Sequence, residues 1–452
     1  MSYEELTQKY RELTLESENH WDYRGRSKSE KDFVHGFCTY PAMMVPKMQR
    51  EMLEVYLESN KSNKVRILDP FAGAGTILVE GMLKGLDVVG IDINPLAILL
   101  CKVKTTIINP RELREHSNAL ISRISVESDV VLFDFDGINK WFTEKAIREL
   151  SIIRAEIMVE PIIEIRRFFW ASFCEVVRIV SNSRNCTYKL HIKEKKEIET
   201  YNKDAIQLFV NTLTNNIQHF STFYEELSQR KLLKADGLTY KRSIKIILGN
   251  SIEVLKRLRM KYDVVFTSPP YGDNHTTVTY GQYSVLPLRW MHIRDIDEGV
   301  DESIICSQCG IDNISLGGKK RVPQGVEQIL CSKSLTLNTQ VQSIKSKSPK
   351  QIDKIISFYY DFDLFLQSLS KRLKPNAITV WTVGNRQVAK QEIHMDKILV
   401  ELGMLYKFRK LTSFSRTIYQ KRMPETNAHS GCAKGIQETM TREHILVFCK
   451  EE

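Results

Sequence analysis

Short apolar runs alternate with amphipathic stretches along this chain. Val65-Arg66-Ile67-Leu68 reads as a strand and runs into Asp69-Pro70-Phe71-Ala72-Gly73-Ala74-Gly75-Thr76. Ile77, Leu78 and Met82 then fall at helical spacing from about Thr76 to Lys84, where Gly85 ends the helix. Val88-Val89-Gly90-Ile91 is a second strand, closed by Asp92-Ile93-Asn94-Pro95. The alternation resumes far downstream. Ile244 to Leu248 is a strand ending at Gly249-Asn250-Ser251, followed by a helix from Ser251 to Arg259. Tyr262 to Phe266 is another strand, ending in Thr267-Ser268-Pro269-Pro270-Tyr271-Gly272-Asp273-Asn274. A helix over Phe358 to Leu373, a strand over Ile378 to Val383 capped by Gly384-Asn385-Arg386, a helix near Lys390 to Leu402 and a β-rich tail ending in His444 to Cys449 complete the pattern. Strands alternating with helices predict an α/β fold with a doubly wound, mostly parallel sheet. In such sheets ligands bind beyond the carboxyl ends of the strands, where Gly73, Asp92, Asn250 and Ser268 all fall.

Two long stretches interrupt this order. Between Asn94 and Ser243 there is far more chain than a crossover needs. Helical periodicity dominates there, over Trp141 to Ile153, Glu160 to Ile179 and Lys203 to Glu225, around a polar loop from Ser181 to Lys189. The second stretch, His292 to Ile352, is polar and carries Gly317-Gly318-Lys319-Lys320-Arg321. The expected organisation is a cofactor-binding part of the core over 1–96, a mainly helical insertion over 97–242 and a catalytic part over 243–291. A polar insertion over 292–352 and the remainder of the core over 353–452 follow.

Composition narrows the class. Of 452 residues 27% are charged and 42% hydrophobic, as in a soluble globular protein long enough to bury a full core. The formal net charge of +10 favours a polyanionic partner. No apolar run has the length of a membrane span, and Met1 to Tyr10 lacks a signal-peptide core, so the expected setting is cytoplasmic, with no membrane partner. The nine cysteines stand mostly alone among apolar residues, as reduced thiols do. Cys306-Ser-Gln-Cys309 with Cys331 resembles half of a zinc ribbon, but Ser334 occupies the fourth position; ordinary thiols are expected, and no metal.

The Gly-rich turn has a mechanical reading. Glycines let the backbone approach a ligand where a Cβ would clash, and the helix that follows offers free N–H groups. An acid ending the second strand is placed to accept from ribose hydroxyls. The third glycine of a dinucleotide fingerprint is absent, since Ile77-Leu78 follow Thr76, which disfavours a nicotinamide cofactor.

Taken in order, these segments resemble the amino-methyltransferase family of DNA-modifying enzymes, which methylate cytosine N4 or adenine N6. Tyr40-Pro41-Ala42, after His35-Gly36, looks like that family's N-terminal cofactor motif. Asp69-Pro-Phe-Ala-Gly-Ala-Gly-Thr76 is similar to its S-adenosylmethionine loop, Asp92 to its ribose-binding acid, and Thr267-Ser-Pro-Pro-Tyr271 to its catalytic motif. The resemblance implies a Rossmann-like methyltransferase core that uses S-adenosylmethionine. Tyr40, Pro41, Asp69, Phe71, Gly73, Gly75, Thr76, Asp92 and Asn250 would bind the cofactor, and Ser268, Pro269, Pro270 and Tyr271 would be catalytic. Asn250 stands where the family carries an acid. Ser in the first catalytic position is typical of the N4-cytosine enzymes, and double-stranded DNA is the implied partner. A restriction endonuclease would be the cognate activity, with no stable complex required, in a bacterial or archaeal, nucleoid-associated setting.

The motif also makes chemical sense. Exocyclic amino groups are poor nucleophiles because their lone pairs delocalise into the ring. A carbonyl beside Pro269 and the Ser268 hydroxyl can accept from the two N–H groups and turn the lone pair out, while the two prolines stiffen the turn. Tyr271 offers a face for an extruded base. Cytosine C5 chemistry would need a cysteine, typically after proline, and no Pro-Cys pair occurs. The competing readings are N6-adenine methylation, guanine-N2 methylation of RNA, and a catalytically silent DNA-binding subunit. His35 reads as a surface histidine, Asp273 and Asn274 as turn residues, and Lys319, Lys320, Arg321, Arg416, Lys421 and Arg422 as candidate phosphate contacts.

Overall fold

The computed structural model describes residues 3–13, 21, 32–60, 62, 64–124, 130–185, 187–201, 203–275, 277–318, 322–418, 426–428, 436–438 and 442–452. Its strands are β1 (Arg66–Asp69), β2 (Asp87–Asp92), β3 (Ile244–Leu248), β4 (Tyr262–Thr267), β5 (Leu373–Gly384), β6 (Arg386–Val388), β7 (Gln391–Ile393), β8 (Phe408–Thr417), β9 (Thr426–Ala428), β10 (Ile436–Glu438) and β11 (Arg442–Lys450). Seven of them form one sheet in the order β3-β2-β1-β4-β5-β11-β8. The first five run parallel, and β11 is inserted antiparallel between β5 and β8. The chain leaves β1 toward β2 on one side and reaches β4 on the other, so a topological switch point lies between β1 and β4. This is the Rossmann-like architecture expected from the strand–helix alternation.

Alternation along each strand divides the apolar residues between two cores. Ile67, Val88, Val264, Phe266, Val380 and Val447 face one side. Leu68, Val89, Val265, Trp381, Leu446 and Phe448 face the other. The first core is shared with the helices of the long insertion. Pro95–Thr105, Glu144–Val159, Ile163–Val180 and Ala205–Gln229 all bury residues in it, so this segment packs as part of the core layer. The second core takes Ile352–Ser370 and Met395–Leu405. It also takes Leu316, Leu330, Leu337, Val341 and Ile344, from a stretch whose composition had looked polar. That stretch folds into short helices with single apolar stripes, Val326–Lys333 and Leu335–Lys345.

Two boundaries depart from expectation. The helix expected from Phe358 starts at Ile352 and stops at Ser370, because Leu373 already belongs to β5. The helix expected from Lys390 starts only at Met395. Ala389 and Lys390 both adopt positive φ, +50° and +62°, and form the two-residue turn of a hairpin between β6 and β7.

The N-terminal segment is tied to the sheet by a buried charge cluster. Glu80, on the Thr76–Leu83 helix, is fully buried. Its carboxylate accepts from Arg50 Nε at 2.8 Å and lies 2.9 Å from His35 Nε2. Burial pushes the Glu80 carboxyl up, but His35 and Arg50 overcome this and hold it below the usual carboxylate range. His35 is therefore a buried structural residue and not a surface one. Glu80→Ala takes the partner from buried His35 Nε2 and leaves Arg50 with Asp32, 3.8 Å away, and we expect it to cost about 1–3 kcal/mol of stability. Urea denaturation followed by tryptophan fluorescence measures the loss.

Candidate active site

Each half of the site is built by a strand ending at the switch point. β1 ends in Asp69, which is fully buried. Its Oδ1 accepts from the Phe71 N–H at 3.1 Å and from the Thr267 hydroxyl at 2.9 Å, joining the turn after β1 to the end of β4. Burial pushes the Asp69 carboxyl up to about 7 in spite of these two donors. Among the described residues Oδ2 has no partner.

The turn then bends at Gly73, with φ +49°, and Gly75, with φ +76°. A Cβ on Gly73 would stand 3.5 Å from the Tyr40 ring, and one on Gly75 would press on Cys101 Sγ at 3.2 Å. The Pro95–Thr105 helix supports the turn from behind. Buried Lys104 donates to the Ala74 carbonyl at 2.8 Å. β2 ends in Asp92, whose carboxylate accepts from Gly73 N at 2.8 Å and Asn94 N at 2.8 Å. Burial raises its carboxyl to about 6, the backbone donors opposing. Asn94 begins the next helix by accepting from Leu96 N at 3.0 Å, ahead of Pro95 in the first position. Its amide also donates to the Tyr40 hydroxyl at 3.1 Å and to Ser284 Oγ at 2.8 Å. Asn250, after β3, caps the Ser251–Arg257 helix through Ile252 N at 2.9 Å. The Ser251 hydroxyl donates to the Pro70 carbonyl.

One cavity gathers these ends. Tyr40, Pro41, Phe71, Gly73, Thr76, Asp92, Asn250, Ser268 and Pro270 line it, with Met43, Met44, Asn94, Asn274, Tyr280, Ile311, Ser315 and Leu316. Four of the expected residues are not in the lining. Asp69 lies beneath the turn, Gly75 packs on Cys101, Pro269 is buried, and Tyr271 stands beside Ser268. The Tyr271 hydroxyl is 3.2 Å from Ser268 Oγ and donates to Glu443 Oε1 at 3.1 Å. Glu443 Oε2 in turn accepts from Arg416 at 2.9 Å (Nε) and 2.5 Å (Nη2). Arg416 is thus committed to an ion pair with Glu443 in the sheet, which removes it as a phosphate contact. Lys319, Lys320, Arg321, Lys421 and Arg422 lie outside the described residues.

The turn after Tyr271 is more than turn chemistry. Asp273 is buried and paired with Arg386 at 2.7 Å, and Gly272 is needed because a Cβ would run into that guanidinium at 2.5 Å. Asn274 lines the cavity with its Oδ1 unpartnered among the described residues. Tyr280 sets its ring 5.8 Å from that of Tyr40. Asn94 could have been found from the Asn-Pro helix start. Glu443, Arg386 and Ile311 carry no local signal, because tertiary pairing alone brings them here. Among the described residues no three His, Cys, Asp or Glu side chains converge as a metal site. Cys306 is exposed, while Cys309 and Cys331 are half-buried. No described helix is long and apolar enough to cross a membrane.

Sheet order and cavity together define a doubly wound α/β protein with a cavity at the carboxyl ends of its strands. No protein-family model matches the chain. It is 33% identical over 431 residues to the type II methyltransferase M.MvaI of Kocuria varians, spanning 92% of this chain and 91% of that one. A shorter match, 36% identical over 87 residues, covers 19% of this chain and 16% of the type II methyltransferase M.MjaII of Methanocaldococcus jannaschii. The solved rRNA methyltransferase aviRa from Streptomyces viridochromogenes aligns over 94% of both chains at 11% identity, with a TM-score of 0.30. The chain belongs to the type II methyltransferases, a family of DNA methyltransferases.

The buried Asp69 gives a pH prediction. A carboxyl raised in the folded state stabilises the fold while protonated, and that contribution is lost as pH rises through its folded value, here about 7. Asp69→Asn keeps an acceptor for Phe71 and Thr267 without the charge. Its melting temperature should exceed that of the unsubstituted protein at pH 8.5, and the gap should narrow steadily as pH falls from about 7 toward the ordinary carboxyl value of 3.8. Calorimetric scans across this range test it.

Proposed function

We propose that the chain transfers a methyl group from S-adenosylmethionine to the N4 amino group of cytosine in double-stranded DNA. One observation carries the reading. A single cavity is walled by the Gly73 turn and Asp92 on one side and by Ser268 and Pro270 on the other. A methyl donor and a methyl acceptor can therefore meet there.

The residues present suit the donor. Gly73 leaves open the space that a Cβ would fill before Tyr40, and Asp92 brings a carboxylate to the wall for ribose hydroxyls. The N–H groups opening the Thr76–Leu83 helix, the rings of Tyr40 and Phe71, Pro41 and the Asn250 amide complete the set. Asp69 and Gly75 act from behind, fixing the turn. The cofactor, when bound, supplies a methyl group on a cationic sulfur. The protein's part is positioning. Ser268 Oγ and a main-chain carbonyl beside Pro269 accept from the two N–H groups of the target, which turns its lone pair toward the methyl. Pro270 stiffens the turn, and no covalent nucleophile is needed. Extruding the base costs a few kcal/mol, and stacking on Tyr271 would return roughly 1–3 kcal/mol. Residues 292–352, which bring Ile311, Ser315 and Leu316 to the cavity, and the helices within 97–242 are the candidates for reading DNA sequence. Methyl transfer of this kind requires no stable complex with an endonuclease.

Plasmid DNA from cells expressing the chain should contain N4-methylcytosine on nucleoside mass spectrometry. N6-methyladenine instead would overturn the base assignment, and no methylated base would overturn the reading. Tyr271→Ala should lose methylation by about 5- to 150-fold while keeping cofactor affinity; methylation at the unsubstituted rate would misplace the acceptor side. Asp92 gives the donor side its own test. Its carboxyl is raised to about 6 by burial, so it loses its charge as pH falls through that value. Titration calorimetry should show S-adenosylmethionine affinity steady above pH 7 and weakening below about 6. Asp92→Ala should be weaker throughout and flat in this window.

A further inference from the structure

The proton inventory around Ser268 is fixed by a residue remote in sequence. Glu443 lies on β11, paired in register with Gly384 of β5 and Arg416 of β8. Its Oε2 takes both Nε and Nη2 of Arg416, and its Oε1 faces the Tyr271 hydroxyl at 3.1 Å. The side chains of Arg416 and Glu443 are 10% and 12% exposed, so water competes little for this pair. An ion-paired carboxylate only accepts hydrogen bonds, and a guanidinium only donates. Tyr271 has one proton, so it must give that proton to Glu443. Its oxygen then has only lone pairs left for Ser268 Oγ, 3.2 Å away. Ser268 must in turn spend its own single proton on Tyr271. What Ser268 presents on its remaining side, in the cavity wall, is lone pairs only. Burial and the Glu443 charge both raise the Tyr271 phenol well above its ordinary value, so the proton count holds at any physiological pH.

We propose that Glu443, anchored by Arg416, is a positioning residue that polarises Tyr271 and Ser268 so that Ser268 is an obligate acceptor, admitting a base edge that carries an amino group and rejecting one that carries an oxo group. The inference rests on the assignment of Ser268 to the target amino group. It deepens that assignment by giving the site a means of telling cytosine from uracil, or adenine from hypoxanthine, where the two differ in just this donor-for-acceptor exchange. No proton moves in the relay; it sets directions and leaves the chemistry to the cavity.

The test is Glu443→Gln, which changes no shape. Arg416 offers only donors, so the amide oxygen of the new side chain turns toward it and the NH2 turns toward Tyr271. Tyr271 then accepts from the amide and donates to Ser268, and Ser268 points its proton into the cavity. The target sequence is first mapped from the methylated DNA made by the unsubstituted protein. Binding is then measured to two duplexes that differ only in the target base, cytosine or uracil, with S-adenosylhomocysteine present. Uracil mispairs with guanine and flips out more easily, so the quantity read is the cytosine-to-uracil affinity ratio of the variant divided by that of the unsubstituted protein, in which the flipping cost cancels. The expected result is a shift of about 10- to 100-fold toward uracil, with turnover on cytosine reduced and S-adenosylhomocysteine affinity unchanged. Equal loss of affinity for both duplexes, or an unchanged ratio, overturns the relay. If Glu443→Gln does not fold, Tyr271→Phe serves, since it frees the Ser268 proton. The ratio should then shift in the same direction by a smaller factor, and no shift overturns the relay. The base product decides the underlying assignment separately: if the unsubstituted protein makes N6-methyladenine, the same experiment is run with adenine and hypoxanthine and the relay is judged on that pair.

Discussion

Both halves of the site hang on one buried oxygen. Asp69 Oδ1 takes the Phe71 N–H and the Thr267 hydroxyl together, so the turn after β1 and the turn after β4 cannot drift apart. Parallel neighbours at a switch point send their chains in opposite directions, which opens a crevice but also leaves its two walls without mutual support. A short side chain reaching across from the end of one strand to the end of the next supplies that support. The cost is a carboxyl held dry, seen in the upward push on its titration. The rest of the site depends on this bond, because the Gly73 turn is itself hung on Asp92 and the Ser268 turn follows Thr267 directly.

Much of this was legible in the sequence, and for definite reasons. Strand apolar runs such as Val88 to Ile91 and Tyr262 to Phe266 are short, bounded by turn residues and buried on both faces, so little else fits them. The Gly-rich turn and Ser268-Pro-Pro-Tyr271 are contiguous in the chain, and contiguity is what a sequence displays. What stayed hidden is what tertiary pairing creates. Glu443 reads as one charged residue among many until β11 slots beside β5. Arg386 reads as a strand cap until Gly272 makes room for it. Residues 292–352 looked like a polar excursion because their apolar residues are spaced at helical intervals on short helices, each too brief to show a period. The hairpin at Ala389-Lys390 was missed because positive φ at two non-glycine residues has no compositional mark.

The insertions are also more integral than their length suggested. The helices Ile163–Val180 and Ala205–Gln229 bury phenylalanines and a tryptophan in the same core that holds Ile67 and Phe266. Asp295, from the other insertion, accepts from the Trp170 indole at 2.8 Å and pairs with Arg166 at 3.2 Å. Whatever these segments do to DNA, they do as parts of one packed body, so a change in how they meet a duplex can be felt at the walls of the cavity.

The placement of β11 bears on when activity can first exist. β8 is made before β11 but reaches the sheet only through it, since β11 lies between β5 and β8. During synthesis, then, a ribosome holding a chain that has passed Thr417 but not Lys450 carries a sheet with no place for β8 and a Tyr271 with no carboxylate to face. In such a DNA methyltransferase, nascent and prematurely terminated products lack β11, and with it the Glu443 carboxylate that the Tyr271 hydroxyl faces.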